Sequence, residues 1–292
     1  MKLSVGLPVW NGERFLEGAL HSILEQSFGD FELIISDNAS TDRTAEICHS
    51  FDDSRIVYHH QPENRGAAWN FNRVFELANG EFFKWTAHDD LLAPNYFERC
   101  IDALHADPEA VLSYTGVQSI DEEGQQLGSF GATTDVTVDS PHIRFREMIL
   151  KQHPCHHIFG VFRSSALRRS PLIGPYMASD RVLLAQLALM GRFQYVPEIL
   201  FFWRRHSKQS IRFIKTPRSY THWFDPNSQA KLIFPNWRLV KEYASVVEKA
   251  DLSLKDRLGC WTWVAVWPVR YAPWLGVDIL RCARVAVDDP LC

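Results

Sequence analysis

The chain has 292 residues, 46% of them hydrophobic and 23% charged, with a net charge of −4. This is the composition of a soluble globular protein with a substantial core, as one large domain or one domain plus an appendage. It carries no whole-chain signal for nucleic acid. The six cysteines, Cys48, Cys100, Cys155, Cys260, Cys282 and Cys292, form no C-x-x-C pair and no compact disulfide framework. The opening "MKLSVGLPVW" lacks the charged start and long apolar run of a signal peptide. The expectation is a cytoplasmic protein with reduced thiols. The longest apolar stretch, from Leu258, is broken by Pro268, Arg270 and Pro273, which argues against a membrane-spanning helix.

Taken in chain order, "LSVGLPV" (Leu3 to Val9) reads as a strand. Glu13 to Gln26 places Phe15, Leu16, Ala19, Leu20, Ile23 and Leu24 on one helical face. "FELIISD" is a second strand, and Ser40, Thr41 and Asp42 start the helix "RTAEICHSF". "RIVYHH" is a third strand, "AAWNFNRVFELA" a third helix, and Gly80 follows it as a stop. "EFFKWTA" is a fourth strand, "NYFERCIDALHA" a helix after Pro94, and "AVLSYTGVQSID" a fifth strand. Residues from Glu122 to about Ser140 read as loop or a short hairpin. "SDRVLLAQLALMG" is a helix with Ser179 as its N-cap candidate, and "FQYVPEILFFWRRH" returns to extended structure. From about Gln229 the pattern is helical and rich in Trp and Arg.

This alternation predicts an α/β fold, a mostly parallel sheet with helices on both faces. In such sheets ligands sit beyond the carboxyl ends of the strands. Those ends carry Pro8 to Asn11, Asp37 and Asn38, Gln61 to Arg65, and His88 to Asp90. The last group poses a physical question, because adjacent ionised carboxylates repel each other. A cation beside them removes the conflict, and oxygen ligation with open positions suits Mg²⁺ or Mn²⁺ shared with phosphates. The alternative is that Asp90 merely starts a helical turn.

The stretch "LSVGLPVWNGERFLEGALHSILEQSFGDFELIISDNASTDRT" strongly resembles the opening of the family 2 glycosyltransferases. The resemblance continues through "ENRGAAWNFNRVFELANGEFFKWTAHDD" and resumes at "ASDRVLLAQLALMGRF" and "FFWRRHSKQS", covering most of residues 3 to 210. It implies the Rossmann-like GT-A fold over residues 1–220, with 221–292 as a helical C-terminal extension. It also implies an inverting transfer of sugar from a nucleotide-sugar donor, with a UDP-sugar expected, to a glycan or lipid-linked saccharide in polysaccharide or glycoconjugate biosynthesis. Asp37 then contacts the nucleotide base, within a nucleotide-binding set of Pro8, Asn11, Glu13, Asp37, Asn64, Arg65, Asn70, His88 and Asp89. "AHDD" matches the metal motif with Ala87 in place of the family's first Asp, so Asp89 or Asp90 carries the Mn²⁺ or Mg²⁺. His206 in "WRRHSKQS" completes the metal ligands. Ala68, Trp69 and Asn70 stand where the family has Ala-Arg-Asn, and Arg65 replaces the missing Arg. Asp180 of Ser179-Asp180, where the family has Glu-Asp, is the catalytic base.

With these groups the chemistry is consistent. A divalent ion neutralises the leaving diphosphate. Basic residues in the window Arg204, Arg205, Lys208, Arg212, Lys215 and Arg218 assist, and Asp180 takes the acceptor proton. The cluster His153, Cys155, His156 and His157 has no partner cluster at zinc spacing, and because it leads into the apolar strand "IFGVF" it reads as a lining of the acceptor or phosphate side of the cleft. The Trp- and Arg-rich tail from Trp237 has two readings. One is a peripheral membrane surface for a lipid-linked acceptor. The other, favoured because five aspartates offset the bases from Asp251 onward, is a helical layer packed on the core or a homodimer interface. Nucleotidyl transferases and dinucleotide oxidoreductases fail for want of a Gly-rich loop after the first strand. A catalytically inactive glycan-binding scaffold is kept open by Ala87 and Ser179.

Overall fold

The computed structural model describes residues 2–131, 134–207, 209, 216–229 and 233–288, with side chains as far as residue 281. The strands are β1 (Leu3–Val9), β2 (Phe31–Asp37), β3 (Ile56–His60), β4 (Phe82–Trp85), β5 (Leu91–Leu92), β6 (Ala110–Ile120), β7 (Gln126–Phe130), β8 (Val161–Arg163) and β9 (Arg192–Arg204). They form one sheet in the order β3-β2-β1-β4-β8-β6-β9-β5, with β7 folded back on the end of β6. β1 pairs in parallel with β2 and β4, β2 with β3, and β6 with β9, while β5, β7 and β8 run antiparallel to their neighbours. The expected mostly parallel α/β sheet is therefore present. The hairpin expected after residue 122 is the β6–β7 pair, with Val117 opposite Phe130.

The helices are α1 (Leu16–Leu24), α2 (Thr44–His49), α3 (Ala67–Glu76), α4 (Tyr96–Ala106), α5 (Pro141–Leu150), α6 (Ser164–Leu167), α7 (Ser179–Met190), α8 (Pro217–Phe224), α9 (Pro235–Lys249), α10 (Leu254–Arg270) and α11 (Ala272–Asp288). Alternation along the strands sorts side chains to two faces. Leu33, Ile35 and Phe82 join α1 and α4 in one core, whereas Ile34, Phe83 and Trp85 join α3, α5 and α7 in the other. On β1, Gly6 faces α3 at close range. A Cβ there would lie 2.6 Å from Val74 Cγ2 and 2.7 Å from Phe83 Cζ, so helix and strand can approach only over a glycine.

The second core runs on without a break into the C-terminal helices. Leu239, Tyr243, Val246, Val247, Cys260, Val264 and Trp267 are buried in the same cluster as Phe145 and Met148 of α5 and Leu183 and Leu184 of α7. Cys48, Cys100, Cys155 and Cys260 are free thiols, whereas the side chains of Cys282 and Cys292 lie outside the described residues. Among the described residues no helix is long and apolar enough to cross a membrane.

Ser179 differs from its expected part. It is the first helical residue of α7, not its cap, and Ala178 holds the preceding turn at φ 62°. That left-handed turn costs an L-residue roughly 1–2 kcal/mol. It swings Ser179 inward, where its hydroxyl is buried without a partner among the described residues.

One core position is unusual. Lys84, in the middle of β4, is 0% exposed. Its ammonium donates to the Phe159 carbonyl oxygen and lies 4.4 Å from the Tyr96 ring centroid and 5.6 Å from that of Phe201. Burial pushes its pKa down to about 7, only partly opposed by Cys100 and Asp90. A lysine lowered in the folded state destabilises the fold most below that value, and the penalty fades as pH rises toward the unfolded pKa. Tyr96 Oη donates to the same Phe159 oxygen at 2.8 Å, so that acceptor stays satisfied without the lysine. Lys84→Met should therefore unfold later in urea at pH 7, by on the order of 2–4 kcal/mol. The advantage over wild type should shrink steadily between about pH 7 and pH 10.

Candidate active site

The polar groups at the strand ends gather into two adjoining networks. In the first, the loop after β1 is laced to the loop after β2. Asn11 N donates to Ser40 Oγ at 2.8 Å, and Asn11 Oδ1 accepts from Thr41 N at 2.9 Å. Gly12 N donates to Thr44 Oγ1 at 2.9 Å and Glu13 N to Asp42 Oδ2 at 3.0 Å, while Glu13 Oε2 accepts from Arg43 N at 3.2 Å. Asp42 also accepts from Thr44 N at 3.0 Å, which makes it the effective start of α2, as its sequence position suggests. Asn11 and Glu13 thus hold the rim in shape from within the protein. Asn11 itself sits at φ 53°, a conformation that Asn tolerates better than most residues.

Asp37, at the end of β2, is 0% exposed. Its carboxylate accepts from Tyr58 Oη at 2.7 Å and Ser40 N at 2.9 Å, with His60 Nδ1 at 3.5 Å. Burial, then the bond to Asp37, push the Tyr58 hydroxyl above its ordinary value. No motif in the sequence points to Tyr58, although its period-2 spacing from His60 on β3 aims both at one neighbour. Next to Asp37, Asn38 Nδ2 donates to Asn64 Oδ1 at 2.9 Å, and Asn38 Oδ1 accepts from Arg65 N at 3.0 Å. Arg65 is exposed, 4.9 Å over the Trp69 ring and 3.4 Å from Glu63 Oε1. Asn70 is buried and its amide donates to Val9 O at 3.3 Å and Ser36 O at 2.9 Å, tying the ends of β1 and β2 together. Pro8 lies in β1 opposite Ser36.

The second network is built on the carboxylates after β4. β5 pairs with the end of β9, Leu91 opposite Phe202 and Leu92 opposite Phe201. Residues just before Leu91 must therefore meet residues just after Phe202. Asp89 Oδ2 lies 2.8 Å from His206 Nε2, and Asp90 Oδ1 accepts from Arg204 N at 2.9 Å. The two neighbours diverge in charge. Burial opposes the charge of Asp89, but the contact with His206 and the nearby His88 outweigh it and hold this carboxyl below the usual range. Burial, then the charge of Asp89, push Asp90 well above it. His88 packs on the loop after β1, where a Cβ on Gly12 would lie 3.0 Å from its Cδ2.

Arg204, placed by sequence with the phosphate-facing bases, uses its guanidinium otherwise. Nε donates to Asp89 O at 2.9 Å, and Nη1 to Asp121 O at 3.0 Å and Glu122 O at 2.9 Å. Arg205 and Arg218 are exposed, while Lys208, Arg212 and Lys215 lie outside the described residues.

Asp89 and His206 fit a divalent ion. Two ligands about 2.1 Å from one ion and at right angles stand roughly 3 Å apart, and the observed 2.8 Å is close to that. His206 Nδ1 is buried with no partner among the described residues. No group of three His, Cys, Asp or Glu side chains gathers around one point among those residues, so further ligands would come from substrate and water.

Asp180 stands apart, at the second residue of α7. It makes no hydrogen bond with either network among the described residues. Its Oδ1 accepts from Arg181 N at 2.9 Å. Burial raises its pKa, with Arg181 and the Cys155 thiol opposing. The histidines beside it form no metal cluster among the described residues. His153 and His156 are each pushed down to about 4 by burial, and both are uncharged near neutrality.

The model of the family described as "Glycosyl transferase family 2" matches residues 4–172. The chain is 31% identical over 130 residues to a putative teichuronic acid biosynthesis glycosyltransferase, TuaG of Bacillus subtilis, covering 44% of this chain and 51% of the relative. The aligned part spans about half or less of the length of curated relatives it matches. Among solved structures, S. aureus TarS 1-349 in complex with UDP superposes with a TM-score of 0.67 at 16% identity, covering 93% of this chain and 72% of that one. The mannosyltransferase PcManGT of Pyrobaculum calidifontis, in complex with GDP-Man and Mn²⁺, gives 0.52 at 18% identity, over 99% of this chain and 87% of that one. At these identities the structural likeness speaks for the GT-A fold.

Asn70→Ala leaves the Val9 and Ser36 carbonyls without their shared donor. It should cost about 1–3 kcal/mol in urea unfolding while leaving the circular dichroism spectrum at room temperature intact.

Proposed function

Because this chain belongs to glycosyl transferase family 2, we propose that it transfers a sugar from a UDP-sugar to a hydroxyl of a glycan or lipid-linked saccharide, with inversion, in polysaccharide biosynthesis. The observation that carries the reading is the Asp89–His206 pair at the sheet edge, adjoining the Asp37 rim. The UDP held by TarS and the teichuronic acid assignment of the B. subtilis relative favour that donor and that pathway class. The Mn²⁺ in the P. calidifontis structure favours a metal here.

In this mechanism the rim holds the nucleotide. Asp37 accepts from the base, and Tyr58 and Ser40 N hold its carboxylate in place. Asn64 and Arg65, braced by Asn38, flank the same end of the sheet. Asp89 and His206 would hold Mn²⁺ or Mg²⁺, which would supply positive charge against the leaving diphosphate. Asp90 serves from behind, because its carboxyl accepts from Arg204 N and fixes the strand that leads to His206. Asp180 takes the acceptor's proton as the acceptor oxygen attacks the anomeric carbon. Burial raises its proton affinity toward that of a useful base.

Calorimetry with UDP and Mn²⁺ tests the site. Asp89→Asn and His206→Ala should each abolish the Mn²⁺-dependent part of UDP binding, and Asp180→Asn should leave it unchanged. Asp180→Asn should lower kcat by roughly 10²–10⁴-fold. No nucleotide binding by the folded protein would overturn the reading, and UDP binding without turnover in wild type would favour a glycan-binding scaffold.

The pH profile follows from the same carboxyl. Asp180 works only when ionised, and burial raises its pKa. The rate should therefore fall as pH decreases, with a midpoint above the ordinary carboxylate value. Asp180→Glu should keep an acid limb, and Asp180→Asn should lose it.

A further inference from the structure

A cavity of about 480 Å³ lies between the sheet domain and the C-terminal helices. Its volume is within the roughly 300–1,000 Å³ typical of small-molecule sites. Tyr243, Trp267, Tyr271 and Trp274 supply aromatic wall. Gln152, Asn236 and Arg181 supply polar groups. Arg181 directly follows Asp180 in α7. The cavity therefore reaches α7 at the residue next to the proposed base. Family membership does not account for it, because the family match ends at residue 172 and every aromatic wall residue lies beyond that point.

The chemistry of the lining selects a ligand. A pyranose ring has an apolar C–H face that stacks on aromatic rings and a periphery of hydroxyls that need donors and acceptors. The cavity offers both, and Arg181 adds one positive charge to its lining. His153, which also lines it, is uncharged near neutrality, since burial pushes its pKa down to about 4. Arg181 spends one guanidinium nitrogen on the His153 carbonyl at 2.7 Å. Asn236 is held in place by Asp278, which accepts from its N at 2.8 Å and from its Nδ2 at 3.0 Å. Tyr271 Oη donates to Leu150 O at 2.9 Å, fixing that wall to α5. These bonds hold the walls in position without a ligand.

We infer that this cavity is a sugar-binding subsite for the acceptor, in which Trp274 stacks on a pyranose ring and Gln152 and Asn236 bond its hydroxyls, so that the C-terminal helices select the acceptor. The inference rests on the transferase reading, and its test is separable from that reading.

The full chain, with Trp274→Ala and Gln152→Ala, is applied to a printed array of glycans, and soluble forms of the bound glycans are titrated by calorimetry. UDP binding with Mn²⁺ is measured in parallel. Trp274 is 56% exposed and Gln152 lies on the surface, so both variants should fold. At least one glycan should bind, and each variant should weaken it at least about fivefold with UDP affinity unchanged. A protein that binds no glycan, or variants that keep full glycan affinity, would overturn the subsite whether or not UDP binds. Loss of UDP binding alone would count against the transferase reading and not against the cavity.

Discussion

The pairing of two residues, Leu91 and Leu92, with the end of β9 governs the candidate site. It is a short contact, but it sets the register of everything around it. Asp90 leads directly into this ladder, whereas Asp89 stands in the bend before it, so the two side chains leave the chain in different settings. One carboxylate therefore meets His206 and the other meets the backbone of Arg204. The repulsion between adjacent carboxylates is relieved by giving the two groups different environments. Asp89 stays ionised and Asp90 is held toward its protonated form.

Arg204 extends the same constraint to the neighbouring strand. Its guanidinium ties the Asp89 carbonyl to the carbonyls of Asp121 and Glu122. The ends of β4, β6 and β9 are thereby fixed to one another by a single planar cation, which suits the fork geometry of arginine better than the point charge of lysine. The loops after β1 and β2 are fixed by a different device, short polar side chains bonded to backbone amides across the gap. Both devices preorganise the rim before any ligand arrives, so less binding free energy is lost in ordering it.

The C-terminal helices act on the site through packing. Tyr243 and Trp267 are buried with α5 and α7 in one continuous core, so the position of Arg181 and of Asp180 beside it depends on helices far along the chain. A layer joined to the sheet by its aromatic side chains can both support α7 and leave a walled cavity beside it. The exposed Trp274 at the edge of that cavity is the kind of residue that core formation alone does not explain.

Much of the sheet and its polar edge is legible in local sequence. Runs such as "LSVGLPV" and "FELIISD" became β1 and β2 with their predicted bounds, because continuous apolar runs bounded by turn residues suit strands buried on both faces. Asp37, Asp89 and Asp90 fall at strand ends for the same reason, since those positions follow directly from where each run stops. Which atoms meet is a matter of tertiary structure. Asp89 and His206 are 117 residues apart, and no local pattern encodes the β5–β9 register that joins them. The same holds for Arg204, whose charge reads as phosphate-facing until its carbonyl partners are known, and for Ser179, which the left-handed turn at Ala178 converts from a cap into a buried residue. Local sequence sets where a chain is extended, helical or turning, whereas the partner of a buried polar group is chosen by long-range packing.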